Sequence, residues 1–292
     1  MSERLVEQLH ALIRSASTDL PADVEAALSE AERKEPPGGT AANAFGAILD
    51  NVKMARANLT PICQDTGSLI FHVYHPVTMD TLAFRRAIEA ATGQATRDIL
   101  LRPNAVDPVT GKNTGTNLGA GVPYVSFKAW EQDEIRVKLM LKGGGSENVG
   151  AQYRLPDSAL GAGRDLKGIR KCVLDAVFKA QGMGCAPGVI GVGIGGDRAT
   201  SYLLSKEQFF RRLGSSNDDP QLDAFEKSLH ADLNQLGIGP MGFGGRTTVL
   251  GVFVAKQARH PATFYVSVSY MCWACRRKEM TLKNGEAVYD QA

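Results

Sequence analysis

The sequence predicts an α/β protein in which mixed sheets flanked by helices follow a helical N-terminal segment. Three observations support this. Apolar residues recur at helical spacing up to about residue 58. Beyond Leu59 the texture changes to short β-branched and aromatic runs alternating with amphipathic stretches. Glycine and proline, 31 and 13 of the 292 residues, punctuate these runs and imply many tight loops.

The elements follow in order. Leu5, Leu9, Leu12 and Ile13 share one helical face, as do Val24, Ala27, Leu28 and Ala31. The run from Glu35 to Gly39, Glu-Pro-Pro-Gly-Gly, breaks the chain before a third helix from Ala41 to Asn58. Strands are expected at Leu69–Tyr74, Tyr124–Trp130, Ile135–Leu141, Val189–Ile194, Val249–Ala255 and Phe264–Tyr270. Helices are expected at Leu82–Leu100, Lys167–Lys179, Ser205–Leu213 and Leu222–Leu236. Asn284-Gly285 marks a hairpin turn near the end. No internal repeat interrupts the pattern, and residues 1–292 are read as one domain with residues 1–58 as its helical opening.

Composition narrows the function. With 33 basic and 31 acidic residues the formal charge is +2, without the basic stripe of a nucleic-acid or membrane-surface binder. No apolar run approaches a membrane span, and no secretory leader is evident, so a cytoplasmic address is expected. The five cysteines, Cys63, Cys172, Cys185, Cys272 and Cys275, are dispersed and odd in number. That suits reduced thiols rather than a secreted disulfide framework.

Three loops place a cysteine beside groups able to hold an anion: Pro61–Gly67, Gly184–Gly188 and Ser269–Arg277. Cys172, mid-helix, reads as a small buried hydrophobe. Cys272-x-x-Cys275 has the spacing of a redox pair or half a zinc site, but no second ligand pair accompanies it. Gly191, Gly193 and Gly196 match G-x-G-x-x-G, with Asp218 and Asp219 downstream. A dinucleotide-binding oxidoreductase is therefore a competing reading.

Taken together, the motifs resemble those of the class I fumarase and L(+)-tartrate dehydratase family, in its α subunit or N-terminal iron–sulfur domain. The matching stretches are Cys63–Gly67, Arg102–Val106, Lys142–Asn148, Gly191–Gly196, Ala258–Pro261 and Cys272–Ala274 with Arg276-Arg277. They run in the family's order along nearly the whole chain. The resemblance implies a 4Fe–4S cluster on Cys63, Cys185 and Cys272, with the glycine-rich loops gathered around it. Cys275 departs from the family pattern, and so does Val149, where a basic or polar residue is usual.

Three protein thiolates would leave one iron with open coordination positions, which suits a Lewis acid rather than an electron carrier. The resemblance then implies a hydro-lyase, with fumarate/(S)-malate as first choice and L(+)-tartrate or a related dicarboxylate as the alternative. A non-catalytic iron–sulfur protein is a further reading. Asp65 is the candidate for proton transfer, against the plainer role of stabilising the turn at Thr66-Gly67. Gln64, Arg102, Gly145 and Asn148 are candidates to bind substrate. Arg102 offers a planar fork, and the glycine run Gly143–Gly145 offers backbone donors in a nest. His260 is expected to give indirect support. A β subunit carrying the remaining active-site residues is expected as partner, in an α2β2 heterotetramer.

Overall fold

The computed structural model describes residues 3–290. The chain forms two compact units, one comprising Met1–Pro21, Asp50–Gly144 and Arg276–Ala292, the other Ala22–Leu49 and Gly145–Cys275.

The first unit is built on a five-stranded mixed sheet of order β2-β1-β3-β8-β9. Its strands are β1 (Ser68–His75), β2 (Tyr124–Ala129), β3 (Ile135–Lys142), β8 (Arg276–Lys283) and β9 (Glu286–Tyr289). β1 runs parallel to β2 and antiparallel to β3. Helices α1 (Glu3–Thr18) and α4 (Thr81–Arg97) cover the sheet. Leu69, Phe71 and Val73 of β1 and Val137, Leu139 and Leu141 of β3 alternate onto the helix-covered face. They meet Leu9, Leu12, Ile13 and Ala16 of α1 and Phe84, Ala87, Ile88, Ala91 and Ala95 of α4. Asp80 caps α4 by accepting from the Leu82 and Ala83 N–H groups, a contribution of about 1 kcal/mol. The Asn-Gly turn is as expected: Asn284 and Gly285 both have positive φ, which twists β8 into β9.

The second unit holds a four-stranded mixed sheet, β4-β7-β5-β6. Its strands are β4 (Ala151–Arg154), β5 (Gly188–Ile194), β6 (Val249–Lys256) and β7 (Tyr265–Met271). Helix α6 (Leu166–Ala180) buries Ile169, Cys172, Val173, Ala176 and Val177 in its core, and α8 (Pro220–Asn234) buries Leu222, Phe225, Leu229 and Leu233. Helix α2 (Ala22–Lys34) packs beside β6. Glu35, just after α2, accepts from the Arg246 and Thr247 N–H groups ahead of that strand. Helix α3 (Thr40–Asn58) contributes its first half to this unit and its second half to the other.

Among the elements that differ from the sequence expectation are three whose cause is local. The helix expected over Ser205–Leu213 instead begins at Arg198 (α7, Arg198–Glu207) and gives way to a 3-10 turn at Gln208–Phe210. Its start is set by a capping box between Asp197 and Thr200, a signal masked by the preceding glycines. Strand β4 was not expected, because four residues, three half-buried and one exposed, leave too little alternation to detect. The glycine run after β3 is not an open loop: Gly144–Asn148 forms a one-turn helix, α5.

Candidate active site

In the first unit, Cys63–Gly67 forms the turn that leads into β1. Cys63 and Asp65 are partly exposed and Gln64 is exposed. Asp65 is held from both sides. Its Oδ1 accepts from the Gly67 N–H at 2.9 Å and its Oδ2 from the Gly144 N–H at 2.7 Å. The turn-stabilising role is therefore real, and it leaves the carboxylate oriented rather than free to rotate. Two glycines make this arrangement fit. A Cβ on Gly67, whose φ is +83°, would come within 2.7 Å of the Lys142 backbone, and one on Gly143 would stand 3.1 Å from Asp65 Oδ2.

Arg102 is brought to the same turn through its backbone. Its N–H donates to Thr66 Oγ1 at 3.0 Å and its carbonyl accepts from Asn117 Nδ2 at 2.9 Å, while its side chain stays exposed. Asn104 adds two longer bonds, to Thr66 Oγ1 and the Gly67 carbonyl. Thr66 and Asn117 are buried positioning residues that the sequence did not single out. An exposed arginine held at its backbone can reach an anion without losing its register.

In the second unit, Cys185 and Cys272 lie on neighbouring loops joined by a hydrogen bond from the Trp273 N–H to the Cys185 carbonyl, 3.1 Å. Cys185 has φ +56° and donates its own N–H to the Gly182 carbonyl. Tyr270, 2% exposed, is the shared floor, another residue the sequence did not single out. A side chain at Gly184 would approach its ring to 2.6 Å, and one at Gly188 would overlap it. The Tyr270 hydroxyl is pushed above its ordinary range by burial first, and then by the negative charges of Cys272 and Cys185. The Cys272 thiol donates to the Ala274 carbonyl at 3.7 Å, whereas Cys275 is 1% exposed, with its N–H donating to the Trp273 carbonyl.

Gly145 and Asn148, both exposed, also belong to this unit. A Cβ on Gly145 would lie 3.5 Å from the Met183 carbonyl, so this glycine sits over the turn leading to Cys185. His260 is exposed, and its Nδ1 accepts from the Ala262 N–H. Of the sequence-selected residues, Cys63, Gln64, Asp65 and Arg102 therefore gather in the first unit and Cys185, Cys272 and Gly145 in the second. All five cysteines are free thiols. Among the described residues, no group of three or more His, Cys, Asp or Glu side chains stands together to hold one metal ion.

The dinucleotide reading loses its geometric basis. Gly191 and Gly193 lie inside β5, where side chains would overlap the Ser205 and Ser201 carbonyls of α7, so these glycines serve close helix–strand packing. Asp219 caps α8 and pairs with Lys256. Neither aspartate of that turn ends a strand, as a ribose contact would require.

A model of the family described as fumarate hydratase (Fumerase) matches residues 6–281. A Geobacillus stearothermophilus protein, provisionally named fumarate hydratase class I, is 50% identical over 94% of this chain, and the match covers 54% of that relative. The chain thus spans about half of that protein's length. The L(+)-tartrate dehydratase subunit alpha of Escherichia coli K12 is 33% identical over 89% of this chain and 85% of its own length. A Methanocaldococcus jannaschii protein, provisionally named as the same kind of subunit, is 35% identical over 93% of this chain and 95% of its own. The chain belongs to the fumarate hydratase (Fumerase) family, which it matches over nearly all of its sequence.

Proposed function

We propose that this chain is the α subunit of a 4Fe–4S-dependent hydro-lyase that interconverts fumarate and (S)-malate. Cys63, Cys185 and Cys272 would hold the cluster. A β subunit would complete the active site, in an α2β2 assembly in the cytoplasm. The observation that carries the reading is the pairing of the Cys185 and Cys272 loops over Tyr270, in a chain of this family that also fixes Asp65 two residues from Cys63.

The donor set suits a cluster. Three thiols free of disulfides lie on loops, and a cubane gives each thiolate its own iron, so its ligands need not converge on one ion. When bound, such a cluster supplies a Lewis-acidic iron for the substrate's hydroxyl group. The chain's own residues do the rest. Asp65, held by two backbone N–H groups, presents its carboxylate to move a proton at the adjacent carbon. Arg102 and Gln64 take a substrate carboxylate from one side. Gly145 and Asn148 offer a backbone and an amide donor.

L(+)-tartrate is the second reading, supported by the names of the relatives from E. coli and M. jannaschii. The test is anaerobic reconstitution with iron and sulfide, with and without a β-type chain from the same source, assayed on fumarate, (S)-malate and L(+)-tartrate. Full fumarate hydration by this chain alone would refute the two-subunit reading, and a chain that takes up no cluster would refute the whole assignment.

A further inference from the structure

One corner of the first unit's sheet collects buried positive charge. Lys142 ends β3 at 2% exposure, and Arg276 and Arg277 open β8 at 1% and 8%. Strand register places them together, with Leu141 opposite Arg276, Met140 opposite Arg277 and Ser68 opposite Lys142. The Cys63–Gly67 turn lies directly on this corner, since Gly67 sits against the Lys142 backbone. Gly143 stands between two charged groups: its missing Cβ would be 3.1 Å from Asp65 Oδ2 and 3.9 Å from Arg276 Nη2.

Lys142 and Arg277 are engaged in contacts of their own. Arg276 is different, because its Nε and Nη1 are buried without a hydrogen-bond partner. A guanidinium does not escape burial by losing its proton. A buried, uncompensated ion costs several kcal/mol, so the working protein needs an anion within reach of this side chain. Asp65 is nearby, but no hydrogen bond joins its carboxylate to Nε or Nη1 of Arg276, and its oxygens accept from the Gly67 and Gly144 N–H groups.

We propose that Arg276 supplies the fixed positive charge that compensates the anionic cluster, as a positioning residue for it. This rests on the reading that Cys63 is one of the cluster's ligands. Three thiolates and four sulfides outweigh the iron charge and leave such a cluster negative. A dicarboxylate is also an anion, but it departs at every turnover, and water must then solvate the groups it leaves. Nε and Nη1 of Arg276 are packed against protein, so the side chain acts on a resident anion through its fixed charge and not through hydrogen bonds from these two atoms.

The test uses R276Q, R276M and R276K in the full chain, first as apoprotein and then after anaerobic reconstitution without substrate. In the apoprotein Nε and Nη1 are buried without a partner, so R276Q and R276M should melt at or above the wild-type temperature. After reconstitution R276Q should lose iron to a chelator about tenfold faster than wild type. Its reduction potential should move negative, because a nearby positive charge favours the added electron. R276K, which keeps the charge, should lie nearer wild type in potential. Apo variants that fail to fold would make the arginine a structural element and overturn the proposal. So would wild-type chelation rates and potentials in all variants. A wild-type chain that takes up no cluster would instead refute the underlying functional reading.

Discussion

The Asp65 carboxylate receives the Gly144 N–H at 2.7 Å, a bond between residues 79 positions apart that fixes the side chain two places from Cys63. Together with the Gly67 N–H it ties both oxygens to the backbone at the start of β1 and the end of β3. A carboxylate held this way is preoriented, and such orientation is worth most when the group must meet a carbon-bound proton in one direction.

If Asp65 moves the proton as proposed, D65N should lower kcat for fumarate hydration by about a hundredfold or more, since the amide does not take the proton. One amide face would set N–H against a backbone N–H, costing about 1–2 kcal/mol of stability. Iron and sulfide content should stay at wild-type levels. If D65N retained wild-type kcat in the reconstituted enzyme, proton transfer would belong to another group.

The proposed cluster assignment divides the cysteines by role. C63S, C185S and C272S should each abolish the brown colour after reconstitution and reduce the iron bound per chain, whereas C275S and C172A should keep both. Iron and acid-labile sulfide assays on the five variants decide the matter, and a colourless C275S with a normal C272S would reassign the third thiolate.

Cys172 gives a pH prediction. Burial, and then the charges of Asp157 and Asp175, push its thiol from 9.0 up to about 12. The folded thiol thus ionises at higher pH than the unfolded one. Its contribution to stability is complete below about pH 9 and declines as pH rises toward 12. Urea denaturation across that window should show a weaker pH dependence for C172A than for wild type. Alkylation at pH 8 should label Cys172 far more slowly in the folded chain than in urea, as mapped by mass spectrometry.

Glu226 on α8 is 5% exposed and pairs with Arg211 at 2.6 and 3.1 Å, while also accepting from Asn217 Nδ2 and the Val254 N–H. Glu226 is the buried member and Arg211 is half-buried, so removing the carboxylate leaves the arginine, Asn217 and the buried Val254 N–H without their acceptor. E226A should thus cost about 3–5 kcal/mol, read as a fall in the urea midpoint at unchanged slope. A smaller loss, within about 1 kcal/mol, would mean that Arg211 finds water once the glutamate is gone.

Opening the Tyr270 floor tests how the second unit holds its two cysteines. G188A places a methyl group in the aromatic ring and should destabilise the chain by about 1–3 kcal/mol, with a matching loss of cluster yield. Y270F keeps the packing and should fold as wild type by circular dichroism.

Much of this was legible in the sequence because its signals are local. Apolar periodicity located α1, α6 and α8 and most strands, and Asn284-Gly285 announced its own turn. The cysteine loops and the Asp65 turn were picked out as short motifs that match a family in order. Local signals failed where an element was short or its cap was hidden, as at β4 and the start of α7. The tertiary structure alone decided which distant backbones meet. It put Gly144 on Asp65, Trp273 on Cys185 and Arg276 beside Gly143, and it turned Gly191 and Gly193 into packing glycines. Periodicity says which face of an element is buried, but a hydrogen bond or a vacant Cβ position depends on a partner far away in the chain, and only the folded chain supplies that partner.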